Sequence, residues 1–170
     1  MKEVEVKILE VNVPETIKKI ESLGAKKVYE GPVEAVYFDF PDDTLQNGNK
    51  LLRLRKLGDE AELTFKDKKG KDKAKIADEE EVSVSDFETI RKMFKGMGMK
   101  EFRSYTKHRV SYKLNDLHFE LDTIPEIPTF LEIEATSVEK VYELVEKLGF
   151  KKEDALPWSG KDVKKHYGKE

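Results

Sequence analysis

Apolar and polar residues alternate over eight stretches of this chain, at about 2–11, 34–40, 51–57, 61–67, 79–84, 105–113, 117–123 and 130–136. A period of two predicts a half-buried strand at each. Between them the apolar positions widen to helical spacing. Ile17, Ile20 and Leu23 form one stripe, with Pro14 in the first turn and Gly24 as the stop. Ser85 and Glu88 form a capping box for a helix carrying Phe87, Ile90, Met93, Phe94 and Met97. Ser137 caps a third helix, which bears Val138, Val141, Val145 and Leu148 and is closed by Gly149. A short helix at about 160–168 follows Trp158, which is expected to anchor it. Leu23-Gly24-Ala25-Lys26-Lys27 and Leu148-Gly149-Phe150-Lys151-Lys152 echo one another, either as a trace of an internal repeat or as shared capping chemistry.

Eight mostly antiparallel strands can close into a barrel and so leave no free edge. Each helix is apolar on one stripe only. The expected architecture is therefore α+β: a closed eight-stranded antiparallel barrel with helices packed on its outside. The sheet's apolar face then turns out to the helices and its polar face turns inward. No linker interrupts the 170 residues, which read as a single domain over 1–170.

Composition narrows the choice of partner. The net charge is −3, so no overall basic character points to nucleic acid, although 39% of the residues are charged. There is no Cys, hence no disulfide, thiolate site or Cys nucleophile. Met1-Lys2-Glu3-Val4-Glu5 has no apolar leader, and no apolar run nears the ~20 residues that span a bilayer. The chain is expected to be soluble and cytoplasmic, with no membrane partner. A homodimer is compatible with these features.

The polar faces are segregated by sign. Glu3, Glu5 and Lys7 share a face of the first strand, backed by Val4, Val6 and Ile8. Glu132 and Glu134 repeat the pattern near the other end, and Glu120 pairs with Asp122. Arg53 with Arg55, Thr64 with Lys66, and Lys107 with Arg109, Ser111 and Lys113 make the basic counterparts. One such strand is ordinary solvated sheet. Like charges side by side destabilise a bare sheet, so acids on some strands and bases on others point to bound partners. A divalent cation suits the acids and a polyanion the bases. A small-molecule triphosphate meets both demands, because its adjacent charges are chelated by such a cation. The aromatic residues Phe65 and Phe119 fall on apolar faces, away from the bases, which disfavours a stacking platform for nucleic acid. His108 alternates away from Lys107 and Arg109, His118 is in phase with Asp122, and no nucleophile motif is present. Asp67–Lys73 reads as a solvated hairpin.

In these residues the chain resembles the CYTH family, the triphosphate tunnel metalloenzymes. The Glu-x-Glu-x-Lys opening is Glu3, Glu5 and Lys7. Tyr37-Phe38-Asp39 precedes the Leu-Arg-x-Arg strand of Arg53 and Arg55. Lys66 and Lys75 follow, then Lys107 with Arg109, Asp122, and the closing Glu132 and Glu134. The resemblance implies a charged tunnel in which Glu3, Glu5, Asp122, Glu132 and Glu134 hold Mg2+ or Mn2+. It implies that Lys7, Arg53, Arg55, Lys66, Lys75, Lys107 and Arg109 grip the triphosphate, with Glu81 a lesser metal candidate. Lys66 is the candidate proton acceptor in catalysis.

The family spans two reactions: hydrolysis of a triphosphate such as ATP or tripolyphosphate, and cyclisation of ATP to cyclic AMP and pyrophosphate by class IV adenylyl cyclases. Those cyclases often carry Gln-x-Asp, Lys-Gly-Pro and Leu-Gly where this chain has Val33-Glu34-Ala35, Lys66-Asp67-Lys68 and Pro128-Thr129. Hydrolysis is the expectation. The cyclase and a non-catalytic polyphosphate or nucleotide sensor are the alternatives.

Overall fold

The computed structural model describes residues 2–169. Eight strands run β1 (Lys2–Ile8), β2 (Lys26–Asp39), β3 (Lys50–Leu57), β4 (Glu60–Lys71), β5 (Lys75–Val84), β6 (Lys100–Leu114), β7 (Leu117–Thr123) and β8 (Phe130–Ala135). Their order, β1-β5-β4-β3-β2-β6-β7-β8, closes on itself as an antiparallel barrel. The helices are α1 (Val13–Ser22), α2 (Thr44–Asn47), α3 (Phe87–Gly96), α4 (Val138–Lys147) and α5 (Gly160–His166), with a 3-10 turn at Lys152–Asp154.

The chain divides into two compact units. One comprises, of the described residues, 2–30, 70–76 and 108–169. Its core joins Val4, Val6 and Ile8 of β1, Phe119 and Leu121 of β7, and Leu131 and Ile133 of β8 to Ile20 of α1 and Val141, Leu144 and Val145 of α4. The apolar faces of these strands meet the helices, as the alternation requires. Trp158 packs with Val163 and Tyr167 in a smaller cluster, and its ring lies 5.1 Å from that of His166, so it does anchor α5. The other unit comprises Gly31–Lys69 and Ala77–Lys107. There Val36, Phe38, Leu54 and Ala61 pack against Phe87, Ile90 and Phe94 of α3.

Several local expectations hold and one is corrected. Asn12 and Ser137 cap α1 and α4, and Gly24 and Gly149 follow those helices at φ of 90° and 79°, where a Cβ would be strained. The chain then enters β2 after Gly24 but a 3-10 turn after Gly149. The echo thus extends no further than the caps. The Ser85–Glu88 capping box does not form. Asp86 caps α3 instead, its carboxylate accepting from the Thr89 N–H.

Asp39 was legible only as part of a motif, and the structure shows its work. It is fully buried at the end of β2. Its carboxylate accepts from the N–H groups of Phe40, Leu45 and Gln46, which ties down α2. Burial alone would raise its pKa, but the Leu45 and Gln46 donors outweigh that and hold it below the ordinary 3.8. The folded value is the lower one. The stabilisation is therefore full above the unfolded pKa and is lost as pH falls through the folded one. Asp39→Asn is expected to cost about 1–3 kcal/mol in urea melts at pH 7 and clearly less near pH 3.

Candidate active site

The face of β1, β8, β7 and β6 that looks away from the helices is charged, yet largely buried. Glu3, Glu5, Lys7, Arg109, Ser111, Glu120 and Asp122 are all buried, Asp122 completely. Strand register sets them in rows. Glu5 stands opposite Glu134, which stands opposite His118. Lys7 stands opposite Glu132, then Glu120, then Ser111. Asp122 stands opposite Arg109.

Ion pairs knit these rows together. Lys7 Nζ lies between Glu5, at 2.9 Å, and Glu132. Burial opposes the charge on Lys7, but Glu132 and Glu5 outweigh it and hold its pKa above the ordinary lysine value. Lys75 donates to the same Glu5 oxygen at 2.5 Å. Arg109 makes a two-pronged pair with Asp122, Nε and Nη2 each 2.7 Å from a carboxylate oxygen, and reaches Glu120 at 3.3 Å and Glu132 at 3.6 Å. Burial again opposes its charge and the carboxylates prevail. Glu120 is pushed up by burial, with Arg109 and the 2.5 Å hydrogen bond from Ser111 offsetting it only in part.

Among the described residues this face carries the six carboxylates Glu3, Glu5, Glu120, Asp122, Glu132 and Glu134 against the cations Lys7, Arg109 and Lys113, with Lys75 of β5 reaching in to Glu5. Carboxylate oxygens are the donors a hard divalent ion takes, and the anionic excess is what such an ion would offset. The donor set therefore fits a divalent cation. Among the described residues, no three of these groups already converge as a coordination shell. Glu5 and Glu132 are instead turned to Lys7, Lys75 and Arg109, and Asp122 to Arg109.

The other unit carries the basic residues. Tyr37, Arg53 and Thr64 stand opposite one another across β2, β3 and β4, as do Ala35, Arg55 and Glu62. Arg53 donates to Thr64 Oγ1 at 3.1 Å, and that hydroxyl donates to Glu81 at 3.0 Å. Arg55 pairs with Glu62 at 2.5 Å and Glu81 at 3.2 Å, and Lys66 with Glu79 at 2.5 Å. Glu81 thus sits among arginines. Lys107 Nζ lies 5.7 Å from the Tyr105 ring centre, and the Tyr105 and Tyr37 hydroxyls meet at 3.2 Å.

Of the expected site residues, Glu3, Glu5, Lys7, Lys75, Arg109, Asp122, Glu132 and Glu134 lie in one unit, where register sets Glu5, Lys7, Arg109, Asp122, Glu132 and Glu134 in rows, and Arg53, Arg55, Lys66 and Lys107 lie in the other. Sequence reasoning passed over Glu62, Arg103 and Tyr105 as site neighbours. Strand phase was the signal that could have found them, since each lies two or four residues from an assigned residue on its own strand or on the adjoining one.

The chain belongs to the CYTH family: the CYTH domain model matches residues 1–167. It is 30% identical to a candidate adenylate cyclase of Methanocaldococcus jannaschii over 134 residues, covering 79% of this chain and 77% of that protein. The PH1012 protein of Pyrococcus horikoshii superposes with a TM-score of 0.76 at 32% identity, covering 95% of this chain and 98% of that one. An adenylyl cyclase candidate of Hippeastrum, whose structure is described as revealing a dominant triphosphatase activity, shares the fold at a TM-score of 0.66 and 19% identity, with 99% and 97% covered. Members of this family are enzymes that act on triphosphates such as ATP and in general depend on a metal ion. No helix among the described residues is long and apolar enough to cross a membrane.

Proposed function

We propose that this chain is a divalent-metal-dependent triphosphatase. The observation that carries the reading is the buried excess of carboxylates around Glu5 and Glu132, together with a separate set of paired arginines and lysines. Glu3, Glu5, Glu132 and Glu134 would hold Mg2+ or Mn2+, with Asp122 able to join where its Arg109 pair opens. When bound, the ion supplies charge neutralisation on phosphate oxygens and a more acidic water.

The chain's own residues do the rest. Arg53 and Arg55 offer planar forks to phosphate oxygens, while Lys7, Lys66, Lys75 and Lys107 offer compact charges. Arg109 remains cationic beside its acids. Lys7, Arg53, Arg55, Lys66, Lys75 and Arg109 are each held by a carboxylate in the structure, so they stay ordered for an incoming anion. Lys66 is the proposed proton acceptor for the attacking water; to serve, it must part from Glu79 and give up its own proton, as desolvation and the neighbouring cations would favour, and it then no longer counts among the cationic grips.

The cyclase reading is favoured by the name of the M. jannaschii relative. The hydrolase reading rests on the residues that depart from the cyclase pattern, Val33-Glu34-Ala35, Lys66-Asp67-Lys68 and Pro128-Thr129. The test is to incubate the protein with ATP, and separately with tripolyphosphate, in Mg2+ or Mn2+, and to separate the products. Free phosphate is expected from both. Cyclic AMP with pyrophosphate would replace the hydrolase by the cyclase, and tight binding without turnover would leave a sensor.

A further inference from the structure

The chain has five arginines, and four of them face carboxylates: Arg53 Glu81, Arg55 Glu62 and Glu81, Arg91 Glu101, and Arg109 Asp122. Arg103 is the exception. Among the described residues its guanidinium makes no ion pair and no hydrogen bond, and its Nε is buried without an acceptor. A buried donor left without an acceptor loses its hydration with no compensation.

Aromatic rings hold it in place instead. The Arg103 guanidinium carbon lies 4.4 Å from the centre of the Tyr37 ring and 5.5 Å from that of Phe102. Stacking satisfies the flat face of a guanidinium but not the N–H groups at its edge. Tyr37 is fixed in turn by its contact with the Tyr105 hydroxyl and by its place opposite Arg53. Arg103, Tyr105 and Lys107 follow at two-residue spacing on one face of β6, so an oriented, unpartnered fork lies on the same strand face as Lys107 and over the ring of Tyr37, the residue opposite Arg53.

We propose that Arg103 is a further phosphate-binding residue, satisfied by an anionic oxygen of a phosphate group, and that Tyr37 is the positioning residue that holds its guanidinium flat. This rests on the triphosphate reading above and adds to it one contact outside the Lys107–Arg109 pair that the family motif supplies. Lys7, Arg53, Arg55, Lys66, Lys75 and Arg109 must release a carboxylate before they take a phosphate, or share their charge with it. Arg103 has none to release.

The test is calorimetric binding of inorganic tripolyphosphate in Mn2+, with thermal melts of each variant alongside. Arg103→Gln is expected to weaken binding about 10- to 100-fold. It should not lower the melting temperature, because no carboxylate loses its partner. Arg103→Lys, which keeps the charge without the fork, is expected to fall between. Tyr37→Leu should weaken binding about 3- to 10-fold, and Tyr37→Phe, which keeps the ring, should restore it. Unchanged binding in Arg103→Gln, or a loss in both Arg103 variants that merely tracks a lower melting temperature, overturns the proposal while leaving the triphosphate reading in place. An unaltered chain that binds no tripolyphosphate overturns that reading, and this one with it.

Discussion

Replacing Glu5 by Gln is expected to reduce metal-dependent turnover of tripolyphosphate by about 100- to 1000-fold, the scale on which removing one fixed electrostatic group acts. Glu5 is 5% exposed, stands opposite Glu134 and is shared by Lys7 and Lys75. The substitution keeps the shape and removes one negative charge from the row best placed to hold a cation. It also frees two ammonium groups to face each other, so the affinity for the metal should fall as well. The measurement is the initial rate against Mn2+ concentration, with circular dichroism to show that the fold is retained. A variant that kept full turnover at low Mn2+ would remove Glu5 from the metal set.

The second large effect is on stability. Arg109 is the common partner of Asp122, Glu120 and Glu132 in a part of the wall where Asp122 has no exposure. A buried pair can contribute little net stability, but removing one partner strands the other's charge. Arg109→Met is expected to cost about 3–5 kcal/mol at pH 7. For a chain of this size that lowers the melting temperature by roughly 10 °C. The pH dependence follows from the sign of the change. With Arg109 gone, the buried carboxylates have folded pKa values above their unfolded ones, so the penalty appears as pH rises above the unfolded range and fades below it. Melts of the variant and the unaltered chain should therefore converge towards pH 4. Arg109→Met combined with Asp122→Leu is expected to recover most of the loss.

The faces were legible in the sequence because a strand's period is two, and a charge in phase with another must share its side. Glu3, Glu5 and Lys7, or Lys107 and Arg109, could be placed with no structure at all. The lengths of the strands were harder to read. β2 begins at Lys26 and not near 34, because Lys26 to Pro32 are mostly exposed on both faces and their two large apolar residues, Val28 and Tyr29, are adjacent, which leaves no hydrophobic alternation to read. β6 begins at Lys100 and not near 105 for a related reason: Lys100 to Arg103 are all only part-buried. The β4–β5 hairpin was expected, but its lysine-rich arms run on as strand to Lys71 and from Lys75, held by backbone pairing that composition does not reveal. The short α2 has no apolar period; it exists because Asp39 collects its N-terminal N–H groups.

Charge segregation could be read from the chain, but the ion pairs could not. Nothing in the sequence says that Lys7 serves both Glu5 and Glu132, or that both Asp122 oxygens go to Arg109. These partners come from register between strands far apart in sequence. They matter for function, because a cation entering near Glu5 competes with two lysines for the same carboxylate.

That competition supplies the most direct test. Crystals soaked in Mn2+ and tripolyphosphate should show an anomalous manganese peak within coordination distance of Glu5 and Glu134, with Lys75 withdrawn from Glu5. Manganese bound only at exposed carboxylates such as Glu15 or Glu126, with the Glu5–Lys7–Lys75 cluster unchanged, would contradict the account.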